Sequence, residues 1–370
     1  MEQNLIAELN PDKLKQDKEQ FKKFLSVIDA LEHYSDKELE RVNKMEKDFE
    51  YFDKKYISKL SLNYKERITK LKECIMHNQQ FLNILLKIYK PPSSYYENIN
   101  YDDMKNNFLE EGKFIYNVFT YIIRDWSIER KKEREDNYNI IINEVLKYFP
   151  FSCDEAINYK FLIPGSALNR LGYELCKYGF DIEANDFLFL NGIFSDYIFN
   201  HAKKNDCYLY PNIDSFSNFW NEEDVFKQYS FPDIDIDLKN NSNNNKKGKL
   251  KLTIGDFLLL YNDNQKEYFD CIITCFFIDT AQNIIEYIDT IYKLLKKGGL
   301  WINFGPLSYH WSKYPEYMSI ELPYDKLKEV ILNYGFEYLN EGFKDCSYGY
   351  IDNYMHNDLF KCIFFTVKKN

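Results

Sequence analysis

Apolar positions recur at helical spacing through the first 150 residues. Phe21, Phe24, Leu25, Ile28 and Leu31 fall on one stripe, and Leu39, Val42, Met45, Phe49 and Phe52 on a second. Between them Ser35, followed three residues later by Glu38, has the spacing of a capping box and predicts the start of the second helix. A third stripe, Ile68, Leu71, Ile75, Leu82, Leu85 and Tyr89, stops at Pro91-Pro92, which lack the amide hydrogens a helix needs. Phe114–Trp126 and Tyr138–Tyr148 complete a helical N-terminal region, expected over residues 1–150.

From Tyr159 the period changes. Short apolar runs near 159–163, 181–185, 249–254, 269–276, 299–304 and 361–368 alternate with helical stretches. That alternation predicts an α/β, Rossmann-like domain over residues 151–370, its parallel sheet covered on both faces. The polar tract Lys239–Gly248 has no apolar surface to bury and predicts a loop between the second and third strands.

Ligands of such sheets bind outside the carboxyl ends of the strands. Phe161–Ile163 reads as a buried strand, Pro164-Gly165 as a tight turn, and Leu168, Leu171 and Leu175 as the face of a helix whose N-terminus would meet the ligand. Asp186, 21 residues after Gly165, ends the second strand, where an acid can bind a ribose diol. A dinucleotide fingerprint needs further glycines for close approach to a pyrophosphate, and here Ala167 and Asn169 stand in their place. No Gly-Lys-Ser/Thr follows, which excludes a P-loop. S-adenosylmethionine has a ribose and an adenine but no phosphate, so one close-approach glycine and a distal acid suffice for it. The same residues also fit an ordinary strand–turn–helix with an incidental acid.

Other strand ends carry further candidates. Asp256 and Phe257 follow the third strand, where they can meet an adenine or serve as a turn aspartate and a core ring. Asp279 closes the apolar run from Cys271; an unpaired charge there is costly to bury, so it is either a helix cap or a site residue. His310 follows the fifth strand, as a hydrogen-bonded structural residue or part of the site.

Composition narrows the partners. A net charge of −10 and a pI near 5.2 argue against nucleic-acid binding, which needs a basic face to neutralise phosphates. No apolar run approaches the ~18 residues that span a bilayer, so no membrane partner is expected. Met1–Gln20 is polar and lacks the apolar core of a signal peptide. Eight cysteines without a Cys-x-x-Cys pair and five scattered histidines argue against a metal site or a disulfide framework. Reduced thiols in the cytoplasm or nucleus are the expectation.

Several ordered blocks resemble the carnosine N-methyltransferase family. They are Cys275-Phe-Phe-Ile-Asp-Thr-Ala-Gln-Asn283, Tyr287–Ile291, Lys297-Gly-Gly-Leu-Trp-Ile-Asn303 and Gly305-Pro-Leu-Ser-Tyr-His310, supported by Arg124–Ser127, Tyr208–Pro211, Phe231–Asp235 and, in the N-terminal helices, Glu40-Arg-Val-Asn43. The likeness runs from about Val27 to the C-terminus. It implies a class I methyltransferase sheet and methyl transfer from S-adenosylmethionine to an imidazole nitrogen of carnosine or a related small histidine-containing peptide. It implies that Arg124, Gly165, Asp186, Asp256, Phe257 and Cys275 surround the cofactor, with Tyr121 where the family has a glutamine contact. Arg124 lies before the sheet, so the N-terminal helices would help close the site. Asp279 and His310 match the substrate-binding pair: the carboxylate would bind the imidazole N–H, leave the other nitrogen's lone pair for the methyl group, and stabilise the methylimidazolium as it forms.

Two departures stand out. The family's turn reads Pro-Gly-Ala-Gly-Leu-Gly-Arg-Leu, whereas Pro164-Gly-Ser-Ala-Leu-Asn-Arg-Leu171 keeps its first glycine alone. Phe360 stands where the family has a substrate-contacting tyrosine, a loss for which Tyr350 or Tyr354 would have to compensate. These departures leave two other readings: a protein-histidine methyltransferase on the same fold, and a catalytically silent methyltransferase-like scaffold. Retention of Asp186, Asp279 and His310 argues against silence.

Overall fold

The computed structural model describes residues 5–7, 9, 11–60, 63–96, 105–149, 159–238, 248–261, 265–349, 351 and 353–370. Among them one mixed sheet contains eight strands: β1 (Ile6–Ala7), β2 (Lys160–Pro164), β3 (Asp181–Asp186), β6 (Leu250–Ile254), β7 (Phe269–Cys275), β8 (Leu295–Gly305), β9 (Phe336–Ser347) and β10 (Leu359–Lys369). A separate ribbon pairs β4 (Cys207–Leu209) with β5 (Tyr229–Phe231). The order across the sheet is β1-β6-β3-β2-β7-β8-β10-β9. The first six run parallel; β10 is antiparallel to β8, and β9 to β10. This is the α/β sheet the sequence predicts, parallel through six of its eight strands.

Central position follows from apolar content. Phe161, Leu162 and Ile163 of β2 and Cys271, Ile272 and Ile273 of β7 are all buried, as strands covered on both faces must be. β2 pairs with β3 on one side and β7 on the other, so the strand order reverses between β2 and β7. That reversal opens a crevice at their carboxyl ends.

Helices Lys18–Glu32, Tyr34–Glu50, Tyr64–Tyr89, Lys105–Trp126 and Lys131–Tyr148 precede β2. They share one core with the sheet. Phe24 meets the Phe189 ring edge-on at 5.7 Å, and Phe81 lies 5.4 Å from Phe231. Each fully buried aromatic of this kind contributes about 1.5–3 kcal/mol of transfer free energy. Among the described residues no helix is long and apolar enough to cross a membrane.

The structure corrects three expectations. No capping box forms at Ser35: the helix starts at Tyr34 behind His33, Ser35 N–H donates to Gln79 Oε1 of a neighbouring helix at 2.8 Å, and Glu38 pairs with Arg41 at 2.9 Å. Tertiary contacts satisfy the amide that a local cap would have served. The sheet is not wholly parallel, because β10 runs antiparallel to β8, and β9 is an added strand antiparallel to β10. β1 places a strand within the first 150 residues, at the far edge of the sheet. Residues 239–247 of the polar tract lie outside the described residues.

Candidate active site

A cleft opens at the β2/β7 crevice, lined by Arg124, Tyr138, Gly165, Ala167, Cys275 and Tyr348 among others. Gly165 begins the turn after β2 with φ of +66°, and a Cβ there would come within 2.5 Å of Phe277 Cδ2. Only bare backbone fits between that ring and the cleft.

Asp186 ends β3 beside this turn and is buried. Its Oδ2 accepts the Ala167 N–H at 2.9 Å; its Oδ1 accepts the Leu188 N–H and the Asn191 amide, each at 3.0 Å. Burial raises its pKa above the ordinary carboxylate range, and the Leu188, Asn191, Ala167 and Phe187 donors oppose the shift. The adjacent Asn191 Oδ1 is buried without a hydrogen-bond partner among the described residues. Together these acceptors fit a ligand with adjacent hydroxyls, and Gly165 fits one that approaches the backbone without a phosphate.

Arg124 comes from the last turn of the Lys105–Trp126 helix. Its Nε and Nη2 hold Asp125 at 2.8 and 2.9 Å, and its Nη1 donates to the Tyr348 hydroxyl. The guanidinium makes cation–π contacts with the Tyr121 and Tyr348 rings, 5.0 and 4.9 Å from their centroids. Burial pulls Arg124 toward neutrality, but Asp125, Tyr348 and Tyr138 outweigh it and keep the side chain charged. These bonds engage three of five N–H donors and leave two for an anionic group. Cys275, at the end of β7, is pushed up to about 12 by burial against the opposing charge of Arg124, so it is a thiol wall and not a nucleophile.

The remaining candidates do not line this cleft. Asp256 caps the short turn Phe257–Leu260, accepting the Leu258 and Leu259 N–H groups at 2.8 and 3.1 Å. Phe257 is buried 5.5 Å from Phe277, the ring beneath Gly165. Asp279 is not a helix cap: its Oδ2 accepts the Ser308 N–H at 2.8 Å, while its carbonyl accepts the His310 N–H at 3.1 Å. Burial raises Asp279, opposed by the Ser308 amide and by His310. The His310 side chain is exposed. Phe360 lies on β10, its ring 6.1 Å from Phe276, which lines the cleft. Tyr354 packs on Phe219 at 4.9 Å; Tyr350 lies outside the described residues.

The family model for carnosine N-methyltransferase matches residues 102–370. Carnosine N-methyltransferase from Rattus norvegicus is 34% identical over 358 residues, covering 94% of this chain and 86% of its own. The chain belongs to the carnosine N-methyltransferase family. The Dictyostelium discoideum member is 31% identical, over 93% of this chain and 76% of that one. Among solved structures, magnesium protoporphyrin IX methyltransferase from Synechocystis PCC 6803 with bound SAH is 9% identical, with a TM-score of 0.40 over 73% of this chain and 100% of that one.

Sequence reasoning missed Asp125, Tyr138 and Tyr348. Tyr138 donates to Asp125 Oδ1 at 2.8 Å and completes the acid's shell. One signal was present: Arg124-Asp125 is a pair of charges inside the apolar run Ile122–Trp126, which a buried helix tolerates only when the charges are paired. Tyr348 follows β9 and reaches Arg124 only through the sheet topology.

Proposed function

We propose that this chain transfers the methyl group of S-adenosylmethionine to an imidazole ring nitrogen of carnosine or a related small histidine-containing peptide. The observation that carries the reading is the convergence of Arg124, Gly165 and Cys275 in one cleft at the strand-order reversal, with Asp186 tied to its rim through Ala167, in a member of this family.

Arg124, with the Tyr121 ring in cation–π contact, would hold the carboxylate end of the cofactor. Gly165 would admit its backbone-side approach, Asp186 the ribose hydroxyls, Asp256 and Phe257 the adenine, and Cys275 one neutral wall. Bound there, S-adenosylmethionine supplies an electrophilic methyl group on a sulfonium. The chain's own task is to align a neutral imidazole nitrogen and exclude water. Asp279 and His310 serve the acceptor. Asp279 in its ionised form would take the imidazole N–H and stabilise the positive charge that develops on the ring. Phe360 offers an apolar face without a hydroxyl.

The N-terminal helices close the site. Support comes from Arg124, Glu133, Arg134 and Tyr138, which line the same cleft as the strand ends. The unpaired thiols of the described cysteines support a reducing compartment, cytoplasm or nucleus.

Incubating the purified protein with labelled S-adenosylmethionine, carnosine and a panel of histidine peptides and proteins, then locating the label by mass spectrometry, tests the reading. Label on the carnosine ring is expected. Label confined to protein histidines would replace the acceptor, and cofactor binding without transfer to any member of the panel would favour the silent scaffold.

A further inference from the structure

Three residues of the turn after β2 occupy the left-handed region: Gly165 at φ +66°, Ala167 at +45° and Asn169 at +63°. Glycine adopts this conformation freely, asparagine with modest strain and alanine at a larger cost. Ala167 and Asn169 stand at the two positions where the Pro-Gly-Ala-Gly-Leu-Gly-Arg-Leu pattern has glycine. The backbone has kept a glycine conformation without the glycines, so other contacts must hold it there.

Those contacts form one chain of side chains. Asn169, 1% exposed, donates from Nδ2 to Ser195 Oγ at 3.0 Å, and Ser195 Oγ donates on to the Ala167 carbonyl at 3.4 Å. Ser195 is fully buried on the Phe189–Asn200 helix, which covers the sheet next to β3. The two strained residues are therefore bridged through one hydroxyl of a neighbouring element. Between them, Trp126 Nε1 donates to the Leu168 carbonyl at 3.0 Å. The turn also reaches Asp186 directly, through the Ala167 N–H. A glycine at 169 has no side chain with which to build this bridge.

We propose that Asn169 and Ser195 form a clamp that does the work of two missing glycines: they are positioning residues that hold the Gly165–Ala167 backbone, and through it Asp186, in the geometry that receives S-adenosylmethionine. This rests on the cofactor reading of the cleft. The clamp touches neither Asp279 nor His310, so its loss falls on cofactor affinity and leaves the acceptor side alone.

Calorimetric titration of S-adenosylmethionine and S-adenosylhomocysteine into the full-length protein tests the clamp, with Tm recorded for each variant. Ser195→Ala should weaken cofactor binding about tenfold, the order expected for removing one hydrogen bond and leaving a buried amide unpaired. In steady state the KM for S-adenosylmethionine should rise while the acceptor KM and the kcat at saturating cofactor hold. Adding Ala167→Gly and Asn169→Gly to Ser195→Ala should restore affinity to within about threefold of wild type, because glycines need no clamp. The Ala167→Gly/Asn169→Gly variant with Ser195 intact should bind within the same range, and it decides the matter if Ser195→Ala does not fold. Wild-type affinity in Ser195→Ala, or a large loss in the glycine variant that glycine should have prevented, would overturn the clamp. A wild-type protein that binds no cofactor would overturn the reading of the cleft and the clamp with it.

Discussion

Asp279 and Ser308 join the ends of two adjacent strands: the carboxylate beyond β7 accepts the amide of the loop beyond β8 at 2.8 Å, and His310 is tied to the same aspartate through its backbone. One residue thus fixes the loop on which its proposed partner stands. An amide at 279 can still accept the Ser308 N–H through its oxygen but supplies no negative charge. Asp279→Asn should therefore leave S-adenosylmethionine affinity nearly intact while lowering the single-turnover rate by about 10²-fold, the scale of losing one electrostatic stabiliser of a transition state. Equal loss of affinity and rate would move Asp279 to the cofactor side.

The same substitution carries a pH signature. Burial raises the folded-state pKa of Asp279 above its ordinary value. A raised carboxyl contributes stability that is complete below the unfolded value of ~3.9 and is lost as pH rises through the higher folded value. Asparagine does not titrate, so Asp279→Asn should gain Tm relative to wild type as pH increases across that window, measured by calorimetry without ligand. The rate of the wild type should rise with pH through the imidazole range near ~6.5, since a protonated ring has no lone pair to attack. That limb belongs to the acceptor and should survive in Asp279→Asn.

Arg124 holds Asp125 with two nitrogens and Tyr348 with a third, and its guanidinium carbon lies within 5.0 Å of two tyrosine ring centroids. Lysine keeps the charge but cannot fork in this way. Arg124→Lys should weaken cofactor binding by roughly tenfold or more, and Arg124→Ala should also cost about 3–5 kcal/mol of stability in denaturant titrations, since Asp125 is left buried with Tyr138 as its remaining side-chain partner. Wild-type affinity in Arg124→Lys would remove Arg124 from the cofactor site.

Gly165 and Asp186 were legible because their signal is local: strand, tight turn, helix, and an acid at the next strand end. The stripe Ile68–Tyr89 was legible for the same reason, and each of its named positions is buried. Arg124 could be reached only through family resemblance, since a helical arginine far from the sheet carries no local mark of a cleft. Tyr348 was hidden by β9, where exposed Leu339 and Phe343 and the less exposed Asn340 and Gly342 reverse the alternation that reveals a strand. Ser35 and Glu38 misled in the other direction. Their spacing is that of a cap, but Gln79, 44 residues away, supplies the acceptor.

Gly165→Ala should block the cofactor without unfolding the protein. Its Cβ would meet the Phe277 ring at 2.5 Å, and its φ of +66° is costly for any L side chain. Backbone strain of about 1–2 kcal/mol adds to overpacking of about 1–3 kcal/mol, against a typical domain stability of about 5–15 kcal/mol. A lowered Tm together with loss of calorimetric binding is expected. Retained wild-type affinity would show that the close approach at this turn is not used.

Asp186→Ala separates the two jobs this carboxylate performs. It removes the acceptor for the Ala167, Leu188 and Asn191 donors, and with it the site proposed for the ribose hydroxyls. Hydrogen bonds to a charged group contribute about 1.5–3 kcal/mol each, so cofactor affinity should fall by roughly 10- to 150-fold. Adenine and 5′-methylthioadenosine distinguish the causes. Adenine lacks the ribose, so its binding should fall only as far as the turn itself is disturbed, whereas the thioether nucleoside keeps the diol and should lose the full amount. Equal losses for both would assign Asp186 a purely architectural role, and no loss for either would remove it from the site.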